Sequence, residues 1–186
     1  MSLTRVFISA EISKKDEISN IQEEIFGHGN LDFSNIKKVD RNNFHFTLVF
    51  IGEVDPASLD QICSIVSNIN FSPIELNFAK IGGFPNATHA RIGWVGIEGI
   101  GKLKMSELVE DIRHKLSSIV VMEKSRYIPH ITIFRLRNGT INLESLVVKH
   151  SIRIDFQDKI EEINLKKSIL TSSGPQYSDI ITVKAR

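Results

Sequence analysis

Apolar residues alternate along Thr4 to Ala10, with Val6, Ile8 and Ala10 on one face and Arg5 and Phe7 on the other, which predicts a strand. Ser13 then reads as an N-cap with Asp16 in the first turn, and Ile18, Ile21 and Ile25 recur at helical spacing until Gly27 and Gly29. A short strand is expected over Lys37 to Asp40 and a longer one over Phe44 to Ile51, stopped by Gly52. Asp55-Pro56 opens a second helix with the stripe Leu59, Ile62, Val66 and Ile69. Ile74 to Ile81 alternates, Gly82-Gly83-Phe84-Pro85-Asn86 is rich in turn formers, and Ala90 to Ile97 reads as a strand. The long helix that follows has the stripe Leu103, Leu108, Ile112, Leu116 and Ile119. Leu136 to Thr140 is a turn and Leu143, Leu146 and Val147 mark a short helix. Ile152, Ile154 and Phe156 alternate, and Ile163 to Leu170 and Tyr177 to Val183 form a hairpin around Ser172-Ser173-Gly174-Pro175. The predicted order is β-α-β-β-α-β-β-α-β-α-β-β-β, an α+β arrangement with largely antiparallel sheets. No linker divides it, so residues 1–186 are expected to form one domain.

One strand stands apart. In Phe44-His45-Phe46-Thr47-Leu48-Val49-Phe50, strict alternation places Phe44, Phe46, Leu48 and Phe50 toward a core. His45, Thr47 and Val49 are left on the other face. His130-Ile131-Thr132-Ile133 repeats the pattern in the second half of the chain. Two such copies arise by chance in roughly one chain in a thousand of this composition, so the pair points to two halves that each deliver a His and a Thr.

Composition narrows the rest. The 186 residues are 41% apolar and 24% charged, with a net charge of +1, so no overall field favours coating a polyanion. The single Cys63 allows no internal disulfide and fits a reducing compartment. No apolar run reaches the roughly 20 residues that cross a bilayer, and the start lacks a signal-peptide pattern. A cytoplasmic monomer with no membrane partner is expected.

Two histidines on one groove suit acid–base chemistry on a phosphodiester. One imidazole takes a proton from the attacking group and the other gives one to the leaving oxygen. Each Thr, two residues on, offers a hydroxyl to a non-bridging oxygen. Three other readings remain open. A zinc site needs three or four ligands, and no His, Cys or carboxylate accompanies either motif on its face. Thr or Cys63 as nucleophile is less favoured, because Cys63 sits in an apolar helical region. Two core histidines are disfavoured because the core face is the opposite one. His28, His89, His114 and His150 have no motif around them and read as surface residues. Lys102, Lys104, Arg113, Lys115, Lys124 and Arg126 form a basic cluster whose simplest role is a solvated face, with guidance of a polyanionic strand as the alternative.

The chain also resembles a known family. The paired H-x-T-x motifs are similar to those of the 2H phosphoesterases, and their surroundings resemble the RNA 2′,3′-cyclic phosphodiesterases, also called 2′-5′ RNA ligases (LigT-like). The likeness runs from Arg5-Val6-Phe7-Ile8 through Asn43 to Leu48, Phe50-Ile51-Gly52-Glu53-Val54, Gly83-Phe84-Pro85, Arg91 and Trp94-Val95-Gly96. It continues with Pro129 to Ile133, Arg135, Lys167 to Thr171, Gly174-Pro175 and Tyr177. It implies a bilobal fold with pseudo-two-fold symmetry, two interleaved lobes and a central cleft. It implies hydrolysis of RNA 2′,3′-cyclic phosphate ends to 2′-phosphates without metal or other cofactor. Joining of tRNA halves through a 2′-5′ bond without ATP is implied as a further activity, and tRNA halves or short oligonucleotides as partners. By the same resemblance His45 and His130 are the catalytic pair, and Thr47 and Thr132 bind the phosphate. His45 is assigned as the acid toward O3′ and His130 as the base toward water. Arg135 matches a basic residue of the relatives, although strict alternation from His130 puts it on the Ile131/Ile133 side. Many relatives carry Lys or Arg at the position of Val49. Phe84 is a candidate base-stacking residue, or a turn aromatic that caps the core. Rival functions are a non-catalytic nucleotide-binding module and an enzyme for a small cyclic phosphate or an oligoadenylate.

Overall fold

The computed structural model describes residues 3–28, 33–122, 125–172 and 174–186. Gly29, Lys124 and Ser173, expected above in a helix stop, a basic cluster and a turn, lie outside the described residues, as do Met1 and Ser2. In chain order the elements are β1 (Thr4–Ala10), α1 (Lys15–His28), β2 (Ile36–Lys38), β3 (Phe46–Val54), α2 (Pro56–Ser67), β4 (Ile74–Phe84), β5 (Ile92–Glu98), α3 (Ile100–Leu116), β6 (His130–Leu136), α4 (Leu143–Lys149), β7 (Phe156–Ile160), β8 (Glu162–Thr171) and β9 (Gly174–Lys184). This is the predicted order.

The strands form two antiparallel sheets, β3-β1-β8-β9 and β2-β6-β5-β4-β7. Each motif strand lies beside a partner of its own half, β3 on β1 and β6 on β5. The third strand of each set comes from the other side of a crossover. After β3 and α2 the chain enters the second sheet as β4, beside β5; after β6, α4 and β7 it returns as β8, beside β1. The fold is thus α+β and bilobal, with pseudo-two-fold symmetry.

Local chemistry explains most boundaries. Asp55 caps α2, its carboxylate accepting from the Ser58 N–H at 2.9 Å, with Pro56 in the first turn. At α1 the expected cap differs: the Ser13 hydroxyl donates to Asp158 of β7 at 2.7 Å, and the same carboxylate accepts from the backbone N–H groups of Ser13 and Lys14. A carboxylate from the other sheet therefore serves the positive end of α1. On α3 the buried stripe is Gly101, Met105, Leu108, Val109, Ile112 and Leu116, and the expected Leu103 is 58% exposed. Leu103 stands two residues from Met105, which turns it to the opposite side of the helix. The strand expected from Ile152 begins only at Phe156, although Ile152 is buried. Cys63 is half-buried against the core, and burial raises its thiol pKa.

Both motif strands carry a β-bulge just after the motif. In β3, Ser9 lies opposite Thr47 but Ile8 lies opposite Val49, so Leu48 is the extra residue. In β6, Trp94 lies opposite Thr132 but Gly93 lies opposite Phe134, so Ile133 is extra. Leu48 and Val49 therefore both face the core, and Phe50 turns out, 75% exposed. Ile133 and Phe134 both face the core, and Arg135 turns out. This corrects two readings by strict alternation: Val49 is a core residue rather than a cleft residue, and Phe50 takes the cleft face. β3 also continues through Gly52, whose φ of 94° suits a second bulge at Ile51, instead of ending there.

Candidate active site

His45 directly precedes β3 and His130 opens β6. Each imidazole is fixed in the same way. His45 Nδ1 donates to the carbonyl of Asn43 at 2.8 Å, and His130 Nδ1 donates to the carbonyl of Ile128 at 2.7 Å. A carbonyl only accepts, so Nδ1 carries hydrogen in both rings and Nε2 is the nitrogen left to take up a proton. The Thr47 hydroxyl donates to His45 Nε2 at 3.2 Å.

Aromatic rings hold both imidazoles. Phe7 of β1 and Tyr177 of β9 flank His45, with ring centroids at 5.3 and 5.5 Å. Phe84 of β4 and Trp94 of β5 flank His130 at 4.9 and 6.0 Å. Burial is the main cause that lowers both pKa values, that of His45 to about 4. The charged neighbours act differently on the two. The strongest at His45 is the Glu11 carboxylate, which favours the imidazolium, opposed by Lys166 and Lys15. Glu11 is itself held by Lys15 and Lys166, each at 3.1 Å. At His130 the charged neighbour is Arg135, which favours the neutral ring.

His45, Thr47, His130, Thr132 and Arg135 line one cleft of about 540 Å³. Arg5, Lys37, Lys38 and Tyr177 also line it. A second groove of about 380 Å³ adjoins it at Thr47, Phe50, His130, Thr132 and Arg135, and is lined by Phe84, Arg113 and Arg126. Phe84 therefore belongs to the groove and packs edge-on against His130. Of the expected basic cluster, Arg113 and Arg126 reach the groove, whereas Lys102, Lys104 and Lys115 line neither space. His28, His89 and His114 are exposed; His150 is half-buried and stacks on His28 at 4.6 Å.

Sequence comparison decides the family. An RNA 2′,3′-cyclic phosphodiesterase of Methanocaldococcus jannaschii is 32% identical over 181 residues, covering 95% of this chain and 98% of that protein. One from Aeropyrum pernix is 33% identical over 154 residues, covering 81% and 86%. A profile described as LigT like Phosphoesterase matches residues 11–94. The chain belongs to the LigT-like phosphoesterase family. The fold of this LigT-like phosphoesterase agrees with solved structures. A Thermus thermophilus crystal structure superposes with a TM-score of 0.79 at 19% identity, covering 97% of each chain. E. coli LigT complexed with 3′-AMP superposes at 0.73 and 16%, covering 99% of each.

Among the described residues of this LigT-like phosphoesterase, no three His, Cys, Asp or Glu gather where they could hold a metal ion. Among the described residues no helix is long and apolar enough to cross a membrane. Several cleft residues were given no role by the motifs, Arg5, Phe7, Lys37, Phe50 and Tyr177, nor was the buried Trp94 behind His130. The available signal for two of them was the face of β1 opposite Val6, Ile8 and Ala10, which carries Arg5 and Phe7 and becomes the cleft face once β1 pairs with β3.

Proposed function

We propose that this protein is a metal-independent RNA 2′,3′-cyclic phosphodiesterase that opens a cyclic phosphate end to a 2′-phosphate and a free 3′-hydroxyl. The observation that carries this reading is the pair of equivalent His/Thr sites on one cleft, each imidazole tied at Nδ1 so that Nε2 is available. The names of the relatives supply the substrate class.

In the proposed step His130 Nε2 takes a proton from water as the water oxygen bonds to phosphorus. The P–O3′ bond breaks in line, and His45 Nε2–H gives its proton to O3′. The Thr47 and Thr132 hydroxyls donate to the non-bridging oxygens, and Arg135 balances their charge. Glu11 near His45 and Arg135 near His130 support this division of roles, since one favours an imidazolium and the other a neutral base. A bound phosphate anion favours the His45 imidazolium and so opposes the effect of burial. A 5′-hydroxyl in place of water would give a 2′-5′ linkage by the same bond changes, which is the proposed ATP-independent joining of tRNA halves. Residues 1–186 act in this reading as one domain of two interleaved lobes, monomeric and cytoplasmic; the lone Cys63 supports a reducing compartment.

The test is incubation of an RNA ending in a 2′,3′-cyclic phosphate with EDTA present, and identification of the product. A 2′-phosphate end is expected. No hydrolysis, or hydrolysis only after a metal is added, overturns the proposal.

A further inference from the structure

The carbonyls that orient the two histidines belong to Asn43 and Ile128, which precede β3 and β6 and lie in neither sheet. Such a carbonyl fixes a ring only as well as its own segment is fixed. In both halves a helix cation holds that segment. Lys15 Nζ of α1 donates to the carbonyl of Asn42 at 3.3 Å, and Arg113 of α3 donates to the carbonyl of Ser125 at 3.0 Å. Each cation is in turn held by a glutamate, Lys15 by Glu11 at 3.1 Å and Arg113 by Glu110 at 2.8 Å.

The two glutamates differ in their surroundings. Glu110 is exposed on α3. Glu11 is half-buried where β1 ends. The register that pairs Ser9 with Thr47 and Ala10 with Phe46 leads next to Glu11 opposite His45. The second oxygen of Glu11 meets Lys166 of β8 at 3.1 Å, and Lys166 also donates to Asp179 of β9 at 2.6 Å. The Lys166 side chain is only 12% exposed, so solvent and salt screen this row of charges weakly. Lys15, Glu11, Lys166 and Asp179 thus form one network beside the acid histidine. Of its members Glu11 favours the His45 imidazolium, and Lys166 and Lys15 oppose it. Arg5 of β1, Lys37 and Lys38 of β2, Asp40 beyond it and Arg135 of β6 share the cleft with the ring.

We propose that Glu11 is a positioning residue for His45: it holds Lys15 on the segment that orients the ring, and its carboxylate offsets the two lysines that oppose the charged form. This rests on the phosphodiesterase reading, in which His45 is the acid, and adds the group that keeps it one.

The experiment is the pH profile of kcat on an RNA with a 2′,3′-cyclic phosphate end. Glu11→Gln keeps the size and an acceptor for Lys15 but removes the charge. The alkaline limb, on which His45 loses its proton, is expected to move down by about 0.5–1 in pH, a loss of kcat of about 3- to 10-fold along that limb. Lys166→Met removes an opposing cation and should move the same limb up. Glu11→Asp keeps the charge and should restore most of the wild-type profile. A merely structural role would lower the plateau in Glu11→Gln and Lys166→Met alike and leave the limb in place. A limb that stays put in Glu11→Gln, or that moves the same way in Lys166→Met, overturns the proposal and leaves the phosphodiesterase reading standing. A wild-type protein that does not hydrolyse the RNA overturns that reading, and this proposal with it.

Discussion

Tyr177 stands edge-on to His45, with ring centroids 5.5 Å apart and planes at 89°. Phe84 makes the equivalent contact with His130, at 4.9 Å and 82°. An edge-to-face pair is worth roughly 0.5–1.5 kcal/mol beyond its area, and here it fixes the plane of an imidazole whose other tie is one hydrogen bond. Tyr177→Phe should keep the rate near wild type. Tyr177→Ala should lower kcat by about 2- to 10-fold, with a smaller change in KM. Steady-state kinetics on an RNA with a cyclic phosphate end checks both variants.

The two histidines should be individually indispensable. General acid–base catalysis typically contributes about 10²–10⁴-fold, so His45→Ala and His130→Ala should each lower kcat by that much. Both rings line the cleft rather than the core, so circular dichroism and the thermal midpoint should remain close to wild type. A variant of either residue that kept near-normal turnover would exclude the two-histidine mechanism.

Element order was legible because it depends on local periodicity. The stripe of α2 and the alternation of β1 need only neighbouring residues. The bulges were not legible, because they arise from the match between two strands. Nothing in Thr47-Leu48-Val49-Phe50 shows that Ile8 will pair with Val49 and leave Leu48 extra. That one irregularity sends Val49 to the core and Phe50 to the cleft. The same event in β6 brings Arg135 beside Thr132, where strict alternation would bury it. The histidines and threonines could be found because they precede the bulges. The aromatic clamps could not, since Tyr177 meets His45 only after β9 has joined the sheet through β8.

Arg135 tests the bulge directly. Its guanidinium lines the cleft with both threonines, so Arg135→Ala should raise KM for the cyclic phosphate and lower kcat/KM by about 10- to 100-fold, as loss of a charge-assisted contact predicts. Arg135→Lys should recover only part, because an ammonium lacks the planar fork. If Arg135 instead faced the core, the alanine variant would show as a stability loss with little change in KM.

Close packing of α3 on β4 offers a test of the fold. A Cβ on Gly101 would lie 2.3 Å from the backbone oxygen of Glu75, which has no flexible side chain to move aside. Gly101→Ala should destabilise the protein by about 1–3 kcal/mol despite the better helix propensity of alanine. Chemical denaturation should show a lower midpoint at unchanged slope.

The buried His45 makes stability depend on pH in a defined direction. Its folded pKa is lowered to about 4 by burial, against about 6.5 in an unfolded chain. Between those values the unfolded state binds the proton and the folded state does not, so stability rises with pH across this window and falls as the solution is acidified from about 6.5 toward about 4. The loss attributable to this ring is of order 2–3 kcal/mol, and the lowered pKa of His130 acts in the same direction. His45→Asn, which cannot titrate, should flatten the dependence in denaturation curves measured from pH 7 to pH 4. A bound phosphate anion should reverse the preference at His45 by favouring its imidazolium. The alkaline limb of kcat, on which His45 loses its proton in the complex, is therefore expected at higher pH than the corresponding limb of kcat/KM, which reports the free enzyme. Coincident limbs would mean that the anion does not act on this histidine, and the assignment of His45 as the acid would fall.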